Sequence, residues 1–375
     1  MHARSAIADS LANDVDRLFA STVGRVTGRG LFIETSPRIT SIAVDAARLQ
    51  EAVVIEPDAT RLEQYEGMVE LRHVLTLNRE PLIVDREVTI PPASFVLMSP
   101  TRFAPRLHLH WQIAVAQRAT VTGGQCFVLA EKGPQARYLA RVFAEVAGGT
   151  LEVVGKGRTH RLLRATFDAH SVVTWPSLRS RRTISVADLS FEVETGLTGF
   201  ASGGLDEGTR RLIEATDFRE IKSLLDIGCG WGPIGLIAAL KNITTHVTML
   251  DSDLRSIAIA QTNANQLGIG DRTRTMHADS IIHVTGRVDH VLANPPLHIS
   301  ADARYHLLSG LASRLVGPAR ARFVVQKGYA DSVRADLVHQ FMDVHDAVEM
   351  SEYVVLDARV ATIGSGHESR PLSLQ

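Results

Sequence analysis

The stretch SLLDIGCGWGPIGLIAALK, residues 223–241, decides the fold. Its first residues form a short apolar run, as expected of a buried parallel strand, and its last ten predict a helix. Between them lies a Gly-X-Gly-X-Gly loop, in which Gly228 and Gly230 let the backbone approach a ligand above the helix N-terminus. A strand, a glycine loop and a helix in this order are typical of a doubly wound α/β sheet.

The rest of the C-terminal half continues this alternation of strands and helices. Further apolar runs predict strands at residues 246–251, 273–279, 288–293 and 321–327. Amphipathic segments predict helices at 254–268 and 303–316, the second stopped by Gly317 and Pro318. Such alternation indicates a mostly parallel sheet with helices on both faces.

The sequence also matches itself at an offset of 195 residues. VTMLDSD (247–253) falls on AVVIEPD (52–58), LANPP (292–296) on LMSPT (97–101), and ARFVVQKG (321–328) on CFVLAEKG (126–133). Three strand ends that match at one offset indicate a duplication, so we expect two tandem Rossmann-like domains. At this offset the glycine loop falls on LFIETSP (31–37), which has no glycine, so the N-terminal copy is expected to be degenerate and to have lost its cofactor pocket.

The expected organisation is therefore a degenerate domain at residues 1–176, a linker at 177–197 and a catalytic domain at 198–375. The net charge of the chain is −1, but residues 101–182 hold 13 Lys and Arg against 4 Asp and Glu. A basic segment within a neutral chain can be a surface for RNA or an ordinary solvated face. Arg179, Arg181 and Arg182 in the linker are the candidate phosphate contacts.

Several classes of protein are disfavoured by the composition. Two cysteines far apart in the chain are no disulfide framework and fit a reducing, cytoplasmic setting. No Cys or His spacing suggests a metal site, and no apolar run reaches the roughly 18 residues of a membrane span. Acidic residues interrupt the N-terminus, so it does not resemble a signal peptide. We expect a monomer without metal or membrane partners.

Acidic residues stand at the ends of three predicted strands. Asp226 precedes the first loop glycine, where a carboxylate repels a pyrophosphate but suits a ligand that carries an ammonium group. Asp251 ends the next strand, where an acid can accept hydrogen bonds from ribose hydroxyls. Asp279 ends the third, where it could meet an adenine amine. A ligand with an ammonium, a ribose and an adenine is S-adenosylmethionine.

Taken together, DIGCG, Asp251, Asp279 and NPPLH (294–298) resemble the class I S-adenosylmethionine-dependent methyltransferases that modify amines. A degenerate copy before an active one resembles the tandem-domain ribosomal RNA guanine-N2 methyltransferases, which comprise type C for the small ribosomal subunit and type G for the large one. The segment TGFASGGLDEGTRRLIE (198–214) is similar to the one that precedes the glycine loop in that family. The resemblance implies that Phe200 and Asp206 help to close the cofactor pocket.

The resemblance also implies roles for the residues after the strand at 288–293. The Asn294 side-chain carbonyl and the Pro295 backbone carbonyl, which Pro296 holds rigid, would each accept a hydrogen from the guanine 2-amino group. His298 matches the histidine of the family and would contact the base or a phosphate. Leu297 stands where the family has Phe, so the aromatic face that stacks on the target base is absent at this position.

Other functions remain open from the sequence alone. Asn-Pro-Pro also fits methylation of an adenine amine or of a protein glutamine amide. A catalytically inactive protein that acts as an RNA-binding or assembly factor is a further alternative, and Leu297 is the one residue that supports it. Trp231 within GCGWG also occurs in methyltransferases of small molecules, although the Asn-Pro-Pro tip counts against that class.

Overall fold

The computed structural model describes residues 14–24, 26, 28–55, 65, 74–76, 90–100, 104–176, 179–196, 204–297 and 301–360. Two compact units make up the chain, one built mainly from residues before 182 and the other mainly from residues after 203. Each unit contains a seven-stranded sheet with helices packed against it.

The N-terminal sheet has the strand order β3-β2-β1-β4-β5-β7-β6. Its strands are parallel up to β5, and β7 is antiparallel to both β5 and β6. A helix at residues 14–22 comes first. The described elements that follow it include β1 (Arg29–Ile33), α1 (Pro37–Ala47), β2 (Glu51–Ile55), β3 (Val74–Thr76), β4 (Ala93–Met98), α2 (Arg106–Ala119), β5 (Thr120–Glu131), α3 (Pro134–Ala147), β6 (Thr150–Lys156) and β7 (His160–Thr166).

The C-terminal sheet repeats this topology in the order β12-β11-β10-β13-β14-β16-β15. Its described elements are α4 (Glu207–Glu214), β10 (Ser223–Ile227), α5 (Pro233–Lys241), β11 (His246–Asp251), α6 (Leu254–Gln266), β12 (Thr273–His277), β13 (Val288–Ala293), α7 (Ala301–Leu308), β14 (Leu315–Gln326), α8 (Ala330–Val338), β15 (Asp343–Glu349) and β16 (Tyr353–Arg359). Two doubly wound sheets with one strand order confirm the fold class that was predicted from the internal repeat.

The register of the first strand corrects the alignment of the two copies. Ile33 pairs with Ile55 and Met98, and Ile227 pairs with Leu250 and Ala293. The neighbouring strands therefore correspond at an offset of 195, but β1 corresponds to β10 at 194. Phe32 lies at the position of Asp226 and Glu34 at the position of Gly228, so the sequence alignment was wrong there by one residue.

The helix predicted at 303–316 is shorter than expected. Helix α7 ends at Leu308, a short 3₁₀ turn follows at Leu311–Arg314, and Leu315 already begins β14. Gly310 takes a left-handed φ of 80° at the break, a conformation that ends a right-handed helix. The stop signal is therefore Gly310, and Gly317 and Pro318 lie inside the strand.

The segment expected to be a linker is regular structure. Strands β8 (Arg179–Val186) and β9 (Leu189–Gly196) form a two-stranded sheet. Val193 and Thr195 of this hairpin are fully buried, and Ile184 and Val186 are buried too. Alternation of buried and exposed side chains is the pattern of a strand with one covered face. The segment predicted as a linker at 177–197 therefore contains a β-hairpin, which the sequence analysis did not predict.

Candidate active site

The carboxyl ends of four neighbouring strands bring the predicted cofactor residues to one edge of the C-terminal sheet. In the order β12-β11-β10-β13, Asp279 follows the first strand by two residues and Asp251 ends the second. The glycine loop at 228–232 follows the third strand, and Asn294 follows the fourth. An open α/β sheet binds its ligands at this edge, where the strand order reverses.

The glycine loop is held against the end of β11. The backbone N–H groups of Gly228 and Cys229 donate to the Leu250 carbonyl at 2.8 and 3.0 Å, and that of Gly230 donates to Asp251 Oδ2 at 2.8 Å. Gly228 and Gly230 have φ of 69° and 56°, in the left-handed region that favours glycine. Asp251 Oδ2 therefore helps to fix the conformation of the loop. The sequence predicted only a contact of Asp251 with ribose.

Asp226 is fully buried at the end of β10. Its Oδ2 accepts a hydrogen bond of 2.9 Å from the N–H of Gly235 in the first turn of α5, while Oδ1 has no partner among the described residues. Burial, aided by the negative charge of Asp251, raises the pKa of Asp226 to about 7. A buried carboxylate with an oxygen left over is suited to receive a cation or a hydrogen-bond donor from a ligand.

Asp279 is a second buried carboxylate at this edge of the sheet, two residues after β12. Its side chain is buried, and Oδ1 has no hydrogen-bond partner within the described part of the chain. The Asp226 and Asp279 carboxylates thus each offer an acceptor at the edge where a cofactor would lie. S-adenosylmethionine, which has an ammonium, two ribose hydroxyls and an adenine amine as donors, fits these acidic acceptors.

Asn294 is oriented by two residues of the segment that precedes β10. Its Nδ2 lies 3.2 Å from each carboxylate oxygen of Asp206 and 2.9 Å from Thr209 Oγ1. Because a carboxylate only accepts hydrogen bonds, the amide nitrogen must face Asp206. Asn294 Oδ1 is thereby turned the opposite way.

The Asn-Pro-Pro tip lies beside the glycine loop. A Cβ atom placed on Gly228 would be 3.7 Å from Pro296 Cδ and 3.8 Å from the backbone oxygen of Asn294. Pro295 is buried, and Leu297 is half-buried and packs against the core of the domain. The tip and the loop therefore border one space. Two other predicted residues, Phe200 and His298, lie outside the described residues.

Thr209 is the residue that the sequence analysis missed. It is 4% exposed, and it lies on α4 three residues after Asp206, the N-cap of that helix. The only signal in the sequence was Asp-Glu-Gly-Thr before an apolar helix, which indicates a cap but not a contact with a distant strand end. Asp206 itself was expected to close the cofactor pocket, and its observed contacts are with Asn294 and with its own helix.

The three arginines proposed as phosphate contacts differ in their surroundings. Arg179 donates to Glu194 at 2.6 Å across the hairpin, and both side chains are mostly buried. Arg179 is therefore engaged within the protein, which counts against its predicted phosphate contact. Arg181 and Arg182 are exposed on the same strand.

In the N-terminal unit, packed side chains occupy the position that corresponds to the glycine loop. Three residues separate β1 from α1, whereas five separate β10 from α5. Glu34 takes a left-handed φ of 51°, and its buried carboxylate accepts hydrogen bonds from Gln112 Nε2 at 3.0 Å and pairs with His108 Nε2 at 2.6 Å. Tyr65 donates to the Thr35 carbonyl at 2.6 Å. A shorter loop with packed side chains explains why this copy is degenerate.

Metal-binding clusters and membrane-spanning helices are both lacking among the described residues. These residues contain no cluster of three or more His, Cys, Asp or Glu that could hold a metal ion. None of their helices is long and apolar enough to cross a membrane. Cys229 itself lies in the glycine loop. Burial and the charges of Asp251 and Asp226 raise the pKa of its thiol well above the usual value, so the thiol stays protonated.

A doubly wound sheet with this strand order, a glycine loop and acids at the strand ends defines a class I S-adenosylmethionine-dependent methyltransferase. Residues 190–357 match the family model described as the methyltransferase small domain.

Two relatives carry more specific names than the family model. The chain is 25% identical over 269 residues to the ribosomal RNA small subunit methyltransferase C of Pseudoalteromonas atlantica, which covers 68% of this chain and 76% of that protein. It is 32% identical over 114 residues to the protein of the same name from Mannheimia succiniciproducens, or 30% of this chain and 34% of that protein.

One solved structure matches both units. It is a 16S rRNA N2-guanosine methyltransferase from T. thermophilus in complex with S-adenosylmethionine and guanosine. The TM-score is 0.77 at 19% sequence identity, and the match covers 92% of each chain. At this identity the likeness bears on the fold, and it confirms the tandem arrangement of two Rossmann-like domains.

Proposed function

We propose that this chain transfers a methyl group from S-adenosylmethionine to the exocyclic 2-amino group of a guanosine in small-subunit ribosomal RNA. The observation that carries the proposal is the orientation of Asn294, whose amide nitrogen is held by Asp206 and Thr209 beside the glycine loop. The names of the relatives support ribosomal RNA as the substrate.

The residues that would hold the cofactor each match one of its groups. The spare oxygen of Asp226 would receive the ammonium group, Asp251 the ribose hydroxyls and Asp279 the adenine amine. When bound, S-adenosylmethionine supplies an electrophilic methyl group whose bond to sulfur breaks with the electron pair left on sulfur. The glycine loop and the Asn-Pro-Pro tip border one space, so a cofactor held by the loop would lie beside Asn294.

Asn294 and Pro295 would prepare the attacking amine. The lone pair of a guanine 2-amino group is delocalised into the ring, so the nitrogen must be pyramidalised and aimed. Asn294 Oδ1 and the Pro295 carbonyl would each accept one hydrogen of this amine. Orientation of this kind can lower a barrier by roughly 7–11 kcal/mol. One proton leaves for water as the C–N bond forms, and no strong base is needed.

RNA would be bound partly through exposed arginines. The base must leave its stack to reach the strand tip, because enzymes that modify a base act on unstacked nucleotides. Arg181 and Arg182 are candidate phosphate contacts on the β8–β9 hairpin. The described candidates for cofactor binding and catalysis all lie in the C-terminal unit, so we propose that a monomer suffices. We also propose that the protein acts in the cytoplasm.

A second candidate follows from the Asn-Pro-Pro tip at 294–296, which also fits amines other than that of guanine, and Leu297 offers no aromatic face that would favour a base. A protein glutamine amide or an adenine amine could be presented to the same two carbonyls. The mechanism at Asn294 would be unchanged, and only the acceptor would differ.

The test is methyl transfer from labelled S-adenosylmethionine to rRNA and to ribosomal subunits from a strain that lacks this gene, followed by nucleoside mass spectrometry. We expect labelled 2-methylguanosine in small-subunit RNA. Asn294→Ala should bind the cofactor as the wild type does and lose transfer by about 100-fold or more, the cost of roughly 2.7–4 kcal/mol for one oriented hydrogen bond. Label in protein or in an adenosine would reject guanosine as the acceptor.

A further inference from the structure

We propose that Asp206 and Thr209 are positioning residues for methyl transfer, which hold the Asn294 amide in one orientation and strengthen its carbonyl as a hydrogen-bond acceptor. The inference rests on the proposed function and adds to it the part of the site that keeps Asn294 ready to act. It departs from the role in cofactor closure that the family resemblance implies for Asp206.

The two ends of the Asn294 amide are not interchangeable in this environment. If Asn294 were flipped by 180°, its oxygen would face the two carboxylate oxygens of Asp206, now at 3.2 Å from the nitrogen. Acceptors would then oppose each other in a partly buried place and their hydrogen bonds would be unmade, which disfavours the flipped amide. Asp206 thus selects the state in which Oδ1 is directed away from α4.

Both partners are themselves fixed. Asp206 Oδ1 accepts hydrogen bonds from the N–H groups of Gly208 and Thr209 at 3.0 and 3.3 Å, so the carboxylate caps α4. A Cβ atom on Gly208 would lie 2.9 Å from the Tyr353 ring, which shows how closely β16 supports this turn. Thr209 is buried and its Oγ1 is 2.9 Å from Asn294 Nδ2. The amide is therefore held by a rigid frame.

The negative charge of Asp206 adds an electronic effect to the geometric one. An amide whose N–H donates to a carboxylate carries more electron density on its oxygen, and chains of hydrogen bonds strengthen one another in this way. During transfer, positive charge moves onto the guanine nitrogen and its hydrogens become more acidic. A stronger acceptor at Asn294 Oδ1 then stabilises the transition state more than the ground state.

Two variants separate positioning from a purely structural role. Asp206→Asn keeps a good N-cap, because asparagine caps helices as well as aspartate does, but it removes the charge. Thr209→Val keeps the shape and removes the hydroxyl. We expect each to lower kcat by about 10- to 100-fold while the cofactor Kd and the KM for RNA change less than threefold. Thr209→Ser should recover most of the activity lost in Thr209→Val.

Thr216→Val is the matched control. Thr216 follows the same helix, and its hydroxyl donates to the Leu212 carbonyl at 2.7 Å, away from Asn294. It should leave kcat unchanged although it also deletes a threonine hydroxyl and its hydrogen bond. The readouts are kcat and KM for 2-methylguanosine formation, the cofactor Kd by calorimetry and the thermal midpoint of each variant.

The outcomes are distinguishable. Wild-type kcat in Asp206→Asn and Thr209→Val would overturn the inference and leave the proposed function standing. A raised cofactor Kd with unchanged kcat would also overturn it, in favour of pocket closure. A wild-type protein that binds the cofactor and forms no 2-methylguanosine would overturn the proposed function, and the inference would fall with it.

Discussion

Asp226 is a buried carboxyl group whose ionised form would pair with the ammonium group of the cofactor. Its pKa is raised to about 7 by burial and by Asp251, so near neutral pH the free protein holds this carboxyl partly protonated. The ammonium of S-adenosylmethionine favours the ionised form, and α-amino groups remain protonated below about pH 7.7. The fraction of protein that must lose the Asp226 proton on cofactor binding therefore grows as the pH falls below about 7.

We predict that cofactor affinity rises with pH between 5 and 7, by as much as about tenfold per pH unit, because the ionised fraction of Asp226 grows over that window. Asp226→Asn should bind more weakly and with a flat profile. Calorimetric Kd values at pH 5, 6 and 7 test this, with Asp217→Asn, an exposed site, as the control. A wild-type profile as flat as that of the variant would show that Asp226 does not receive the ammonium.

Leu297 gives a second prediction at the same scale. Base–aromatic stacking is worth about 1–3 kcal/mol per base, and leucine supplies no aromatic face. Leu297→Phe should therefore raise kcat/KM for RNA by roughly 5- to 100-fold, with the cofactor Kd unchanged. Steady-state rates on rRNA fragments measure it. Lower activity with an unchanged fold would mean that this half-buried side chain serves the core rather than the base.

The predicted strand-tip residues illustrate what a sequence can reveal about a site. Asp226 and Asp251 lie at the ends of apolar strands and Asp279 follows one by two residues, so their positions could be predicted from periodicity and topology. Thr209 and the contact of Asp206 with Asn294 could not. These contacts join residues more than 80 positions apart, and no local pattern encodes which cap will meet which strand end.

At the scale of elements, the strands were predicted more accurately than the connections. Strands β11 and β13 have the predicted bounds, because buried runs end sharply at polar residues. The hairpin β8–β9 was missed, since its polar sequence resembles a linker and its buried face becomes evident only in the fold. The end of α7 was misplaced because a glycine inside an apolar helix pattern is a weaker signal than Gly-Pro.

The same hairpin carries a testable charge effect. Arg181 and Arg182 are exposed, and Arg179 is paired with Glu194. Replacing Arg181 and Arg182 by Gln should lower RNA affinity and reduce the slope of log K against log salt by about 1.4–1.8, the value for two lost phosphate contacts. Fluorescence anisotropy between 50 and 200 mM salt measures the slope. An unchanged slope would locate the RNA elsewhere.

Arg287→Gln is the control for that experiment. It also removes an exposed arginine, but residue 287 precedes β13 and so lies at the amino edge of the sheet, opposite the candidate site. Its salt slope should match that of the wild type. A reduction half that of the hairpin variant, which loses two charges, would indicate a general effect of net charge.

At the scale of the whole molecule, two domains share one topology and differ in their first loop. The N-terminal loop is two residues shorter, and it places Glu34 where the other domain has Gly228. We therefore predict that one chain binds one molecule of S-adenosylmethionine. Calorimetry should give a stoichiometry of 1, and Asp251→Ala should weaken that single binding event. A second binding event that survives in Asp251→Ala would show that the N-terminal domain also has a site.

The shortened loop also limits which mutations could restore a cofactor pocket in the N-terminal domain. Substitution of Glu34 by glycine would return a flexible backbone, but the span between β1 and α1 would still be two residues short. Restoring a pocket needs an insertion together with removal of the His108 and Gln112 side chains that now occupy its neighbourhood. No single-base substitution in the gene accomplishes this. Loss of the pocket is therefore hard to reverse by point mutation, and the N-terminal domain can diverge toward a function other than cofactor binding.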